Sequence, residues 1–284
     1  MSDIPRYYKE SGKIGFLGLI GMPAVGIVTS AVLGFIYAYA SYYIGVVYLN
    51  VILAFAFGFG LGYVAGKVAY WGKVRNKYFW IIMSGLLGFV ASYFGWVFWI
   101  FALSEQSILV FDPVQIYQFM QEIAAEGSWS IVGITPRGGM LGMIWMLEIG
   151  VIVLMTYFGL DLAFGKQIFC ENCHTWTHAT VLTSYLEPIY DTYKFRVALE
   201  EGDFSVLTDL KRVSHTAENR AKVQIFKCPN CLESNFLRVD AIEATITEKG
   251  LINQKEELIL ENLIIPIEAY ESISQWGEAL KAES

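Results

Sequence analysis

Four apolar runs, at residues 14–39, 46–68, 79–103 and 140–163, constrain this chain more than any other feature. Each is long enough to cross the roughly 30 Å hydrocarbon core of a bilayer. A backbone in lipid must satisfy its own hydrogen bonds, so runs of this kind fold as helices. The expected fold class is therefore a membrane α-helical bundle of four spans, followed by a soluble α+β domain. A mean hydropathy of +0.45 with 55% hydrophobic and 17% charged residues agrees with a chain partly embedded in lipid. Pro23 falls early in the first run, so that helix either starts near it or bends there.

Basic residues set the expected orientation. Arg6, Lys9 and Lys13 precede the first run, and Lys67, Lys73, Arg75 and Lys77 cluster between the second and third. The link between runs one and two has no basic residue, and the long link at 104–139 has only Arg137. The positive-inside rule then puts both termini in the cytoplasm, with a cytoplasmic segment at 1–13 and an extracytoplasmic one at 104–139. Tyr37, Tyr42, Trp96, Trp99 and Trp145 fall near the outer interface, and Trp71, Tyr78 and Trp80 near the inner one, as aromatic belts do. No secretory cleavage pattern follows the first run, which reads as a retained anchor in an inner or plasma membrane.

Small residues recur at four-residue spacing in the runs: Gly26, Ser30, Gly34 and Ala38, then Ala54, Gly58, Gly62 and Gly66, then Ser84, Gly88 and Ser92. Such stripes let helices approach closely, within one bundle or between copies and partners. Glu148 lies a third of the way into the fourth run, where a carboxylate is costly unless it faces the bundle interior, is protonated or is paired. It is the candidate intramembrane functional site, with Arg137 and Lys67 as conceivable partners. In the outer segment, Asp112 followed by Pro113 is a helix start, and helical spacing continues to Gly127. Residues 128–137 form a loop in which Trp129 and Arg137 are candidate ligand contacts.

The basic and acidic side chains balance over residues 1–164, so the whole net charge of −7 falls on residues 165–284. An acidic soluble half is a poor partner for phosphate backbones, and no nucleic-acid binding is expected. This half, 166–284, contains all four cysteines, as Cys170-Glu171-Asn172-Cys173 and Cys228-Pro229-Asn230-Cys231. Two Cys-x-x-Cys pairs supply the four thiolates of a tetrahedral metal site, which in a reducing cytoplasm is favoured over disulfides. Around them the pattern predicts a strand at 174–182, helices at 187–200 and 204–213, and strands at 222–227, 236–247 and 257–265. A turn at 248–250 and a closing helix at 267–282 complete the prediction.

Knuckle, strand, knuckle, strand is the layout of a zinc ribbon, and residues 169–182 and 221–247 resemble that class. The resemblance implies one structural zinc per chain on Cys170, Cys173, Cys228 and Cys231. It departs from the usual ribbon in the long separation of its knuckles, which carries a helical insertion at 184–220. A long loop costs little more than a short one to close, so a metal clip tolerates it. A rubredoxin-like iron site shares this spacing, and thiol redox chemistry is a further alternative. Cys170–His174 also spells a c-type haem attachment pattern, but haem attachment is extracytoplasmic and the topology sets it against that reading. His174 and His178 could grip a second metal only on a helix, and His215 stands alone. Glycine-rich phosphate loops, Gly-x-Ser-x-Gly and His-Glu-x-x-His are all missing.

A closed metal site, the lack of a catalytic constellation and the small-residue stripes together suggest a non-catalytic scaffold or adaptor. Its partner would be a membrane protein or a second copy of the chain. The alternatives are a small transporter, channel or membrane-embedded enzyme using Glu148, or a sensor whose outer segment 104–139 meets a ligand.

Overall fold

The computed structural model describes residues 6–44, 47–127, 135–164, 167–214, 217–246 and 252–282. The chain divides into two compact units, residues 11–166 and residues 1–10 together with 167–284.

The first unit is helical: α1 (Phe16–Ile44), α2 (Val47–Trp71), α3 (Lys77–Leu103), α4 (Pro113–Glu126) and α5 (Gly139–Phe164). Four of these, all but α4, are long and apolar enough to cross a membrane. Pro23 lies inside α1, which starts at Phe16. The lead-in before α1 is pinned to the turn after α2, because Arg75 N–H donates to the Lys13 carbonyl at 2.8 Å and Asn76 Nδ2 to the Gly12 carbonyl at 3.0 Å. Asn76 then caps α3 by accepting from Phe79 N–H at 2.9 Å. Asp112 does the same for α4, accepting from Val114 N–H at 2.9 Å, with Pro113 in its first turn.

The small-residue stripes face inward. Gly18, Met22, Gly26, Ser30, Gly34 and Ala38 form the buried face of α1. The seam between α2 and α5 is tight enough that a Cβ on Gly62 would overlap the Thr156 carbonyl. One on Gly66 would lie 2.7 Å from the Ala163 Cβ, and one on Gly88 of α3 would lie 2.8 Å from Val153. Large apolar side chains such as Val28, Ile52, Phe89, Met146 and Leu147 are exposed instead. Small residues inside and bulky apolar ones outside is the arrangement that suits lipid, where packing rather than water exclusion joins helices.

The second unit contains β1 (Phe169–Cys170), β2 (Thr175–Trp176), β3 (His178–Leu186), α6 (Thr192–Glu201), α7 (Ser205–Thr208), β4 (Asn219–Lys227), β5 (Asn235–Ile246), β6 (Ile252–Ile265) and α8 (Ile267–Ala282). β1 and β2 form a small hairpin, and β3-β4-β5-β6 form an antiparallel sheet in that order. Alternation along the strands puts Val223, Ile225, Leu237 and Val239 on one face, with Leu182, Leu260 and Leu263. Phe195 and Leu199 of α6, Leu207 of α7 and Ile273 of α8 complete this core. On α8 Trp276 is partly buried and Ile273 fully buried, and Gly277 lets the helix settle on Leu182. On the other face Ile168, Phe226 and Phe236 cluster, and Arg238 is paired with Asp240 at 3.0 Å, both buried.

Several boundaries differ from the sequence pattern. The strand expected at 174–182 is divided between β2 and β3. The helix expected at 187–200 begins only at Thr192, where Asp191 accepts from Lys194 N–H at 3.0 Å. The residues before it are held away from a helix: Glu187 N–H donates to the Lys211 carbonyl at 2.9 Å, and Lys211 N–H donates back to the Glu187 carboxylate at 3.2 Å. For the same reason α7 is one turn long rather than extending to 213. β4 and β6 start at Asn219 and Ile252, earlier than the pattern suggested. The turn expected at 248–250 lies outside the described residues.

Residues 6–8 also belong to this unit. Tyr7 bridges Leu263 of β6, Tyr8 N–H donates to the Asn262 carbonyl at 3.0 Å, and Ile264 N–H donates to the Arg6 carbonyl at 2.9 Å. The Tyr7 hydroxyl donates to Glu200, and Arg6 reaches the same carboxylate at 3.6 Å. Residues 6–8 thus lie along the edge strand β6, joined to it by one β-bridge and flanking hydrogen bonds.

Candidate functional site

Two places gather chemically capable side chains, one in each unit. In the α/β unit, Cys170 ends β1 and Cys173 sits in the tight turn to β2, where His174 takes φ 52°. Cys228 follows β4 and Cys231 lies in the turn before β5, closed by Cys228 N–H donating to the Ser234 carbonyl at 3.0 Å. The four Sγ atoms lie within 4.8 Å of one another. Those of Cys170 and Cys231 are 3.8 Å apart. A tetrahedron of thiolates around a zinc-sized ion, with metal–sulfur bonds of about 2.3 Å, needs edges of about 3.8 Å. The four cysteines are thus close enough together to hold a metal ion.

The backbone around them suits thiolates. Cys173 N–H donates to Cys170 Sγ and Asn230 N–H to Cys228 Sγ, each at 3.4 Å. Ser234 Oγ lies 3.1 Å from Cys170 Sγ. Burial pushes the Cys231 thiol up, but the N–H groups of Glu233 and Ser234, the Ser234 hydroxyl and Cys173 outweigh it and bring it down to about 6. Hydrogen bonds to Cys231, then burial and the other two cysteines, push the Cys173 thiol up to about 12. A bound cation would remove the need for such proton sharing, because a ligating thiol is deprotonated outright. Phe169 and Trp176 meet edge to face at 4.9 Å and brace the first knuckle. Among the described residues neither His174 nor His178 joins the cluster, and His178 is exposed on β3. His215 lies outside the described residues.

In the helical unit, a cavity of about 670 Å³ opens among α1, α2, α3, α4 and α5, and Glu148 lines it. The Tyr37 hydroxyl donates to the Glu148 carboxylate, and the Tyr37 ring stacks on Phe57 at 5.1 Å. Neither cation suggested by the sequence is the partner. Lys67 lies over the Tyr63 ring at 5.2 Å, and no ion pair to Glu148 occurs among the described residues. Asn50 of α2 also lines the cavity, and its buried Oδ1 has no hydrogen-bond partner among the described residues. Trp96 meets Trp99 at 5.6 Å and Trp145 at 4.8 Å, both edge to face, and all three line the cavity. Glu126, at the end of α4, is a second carboxylate in the lining and is exposed. Arg137 is exposed, with its stem against Gly127. Trp129 lies outside the described residues.

Sequence reasoning singled out Glu148 but not Tyr37, Asn50 or the tryptophans as site residues. Tyr37 and the tryptophans carried a signal as the expected outer aromatic belt, and their rings share one space from α1, α3 and α5; Asn50 carried none. No known family model matches the chain, and neither a curated protein nor a solved structure is similar to it.

Proposed function

We propose that this is an integral membrane protein whose helical bundle binds a small molecule, as a carrier or receptor, and carries a zinc-clipped α/β domain on the cytoplasmic side. One observation carries the reading: a deep carboxylate, Glu148, and an unpartnered amide oxygen, that of Asn50, both line one cavity of ligand size. A buried acceptor left unpaired costs about 1–3 kcal/mol, so a cavity that keeps one is suited to a ligand that supplies the missing donor.

The scaffold reading drew on the small-residue stripes as a face for partners. Those stripes are occupied by packing within the bundle, which leaves the closed cysteine set and the lack of a catalytic motif in the sequence to speak for a scaffold. Orientation rests on the basic loops, and on residues 6–8 sharing a sheet with the carboxy-terminal unit, which asks for an even number of crossings. Zinc is the proposed metal because the two knuckles resemble those of a zinc ribbon, in which four thiolates close a structural site; a rubredoxin-like iron site is the alternative that metal analysis decides.

Native mass spectrometry of the protein released from its own membranes tests the cavity. One small-molecule adduct per chain is expected, retained by the Ile82→Ala variant on the exposed face of α3 and lost in Glu148→Gln. Adduct-free protein, or an adduct indifferent to Glu148, defeats the proposal.

A further inference from the structure

We infer that the cavity of the helical unit takes an organic cation, an ammonium or other onium group carried on an apolar body. The inference rests on the ligand-binding reading above and specifies its chemistry.

Charge is the first argument. Among the described residues the lining holds two carboxylates, Glu148 and Glu126, and no lysine or arginine. Glu148 lies about 14 Å along α5 from Gly139 at 1.5 Å rise per residue, away from the helix end. The Tyr37 hydroxyl supplies one hydrogen bond, which neutralises no charge. A carboxylate at that depth wants a counter-charge, and the protein supplies none among the described residues within ion-pair distance. Arg137, the one basic residue of the link before α5, is exposed beside Gly127.

The second argument is the wall material. Trp96 meets both Trp99 and Trp145, and indole faces attract weakly hydrated cations more than the other aromatic side chains do. A small hard metal ion would instead want six or more oxygen ligands, and the lining is mostly apolar. The space, about 670 Å³, is far larger than a bare ion needs and suits a molecule with several rings or a short acyl body. The Asn50 oxygen adds an acceptor for an N–H donor where the onium group carries one.

The onium group has two possible sources, a soluble organic cation or the choline-type headgroup of a lipid. The test uses two ions of one shape and opposite charge, tetraphenylphosphonium and tetraphenylborate, by equilibrium dialysis against the full-length protein in a neutral maltoside detergent. Empty micelles provide the partition blank. We expect a saturable one-to-one component for the phosphonium and none for the borate. Glu148→Gln should weaken phosphonium binding at least about tenfold and Trp96→Leu about threefold, in line with loss of a desolvated charge partner and of one indole face. Phosphatidylcholine added to the micelles separates the sources: displacement of the phosphonium assigns the site to a lipid headgroup, and indifference assigns it to a soluble cation. Equal binding of both ions, or preference for the borate, overturns the cation inference while leaving the ligand-binding reading intact. Binding of neither ion by protein that still shows its native adduct also overturns it. The wild-type comparison needs no variant, so a misfolded substitution cannot mask the result.

Discussion

Tyr37 on α1 donates its phenolic hydrogen to the Glu148 carboxylate on α5, joining two helices 111 residues apart in sequence. The bond aligns the one deep carboxylate toward the cavity. Tyr37→Phe should lower stability by about 1–3 kcal/mol, because Glu148 then keeps its desolvation cost with one donor fewer. In a double-mutant cycle with Glu148→Leu the second substitution should cost little once the first is made. Thermal denaturation of the four proteins in one detergent measures this. Additive losses would mean that the two residues do not interact.

The cysteine cluster predicts one tightly held metal ion per chain. Elemental analysis of purified protein should find zinc at that ratio in a colourless sample. Cys170→Ser and Cys228→Ser should each lose the metal, because a three-thiolate set is open to water. Chelation should then unfold the two knuckles first, seen as loss of hydrogen-exchange protection at residues 168–177 and 228–236. Iron absorption bands in place of zinc would make the domain an electron carrier.

The α2–α5 seam gives a paired test of packing. Gly62→Leu places a branched side chain where a Cβ already meets the Thr156 carbonyl, and should cost at least about 1–3 kcal/mol through overpacking. Gly150→Leu, on α5 with nothing within 4 Å of an added Cβ, should be close to neutral. Denaturation midpoints in detergent compare them. Equal effects would argue against this helix pairing.

Tyr7 provides a titration marker for the amino-terminal strap. Burial first, then the Glu200 carboxylate, pushes its phenol from 10.0 up to about 12. The folded protein therefore holds that proton more tightly than the unfolded chain does. This contribution to stability is complete below about pH 10 and is lost as the pH rises towards 12. Phenolate absorbance of the wild type minus Tyr7→Phe should therefore titrate near the upper value. A difference curve centred near 10 would mean that the strap is detached in solution.

Much of the architecture was legible in advance because it rests on local rules. The Asp112–Pro113 start of α4 is a cap whose side chain and backbone are neighbours in sequence, and its bond to Val114 needs no tertiary partner. The alternation of Leu237 and Val239 against Arg238 likewise follows from the pleat. What alternation could not say is that the second face would also be covered. Arg238 and Asp240 stand on that second face, buried and paired. The helix expected at 187–200 starts late for a similar reason: Glu187 is held by Lys211, more than twenty residues away.

The candidate sites divide along the same line. Two Cys-x-x-Cys pairs mark a candidate metal site because chelation uses that spacing wherever the chain goes, so the four cysteines that the fold gathers could be named from sequence alone. Four helices long and apolar enough to cross a bilayer were likewise legible, because length and apolarity are properties of the sequence itself. Tertiary structure alone decided which face of each helix turned inward. Gly62 on Thr156, Tyr37 on Glu148 and Trp96 on Trp145 each depend on how separate helices are rotated against one another. In uniformly apolar helices no hydrophobic stripe announces that rotation. Close packing of small residues sets it, and with it the cavity.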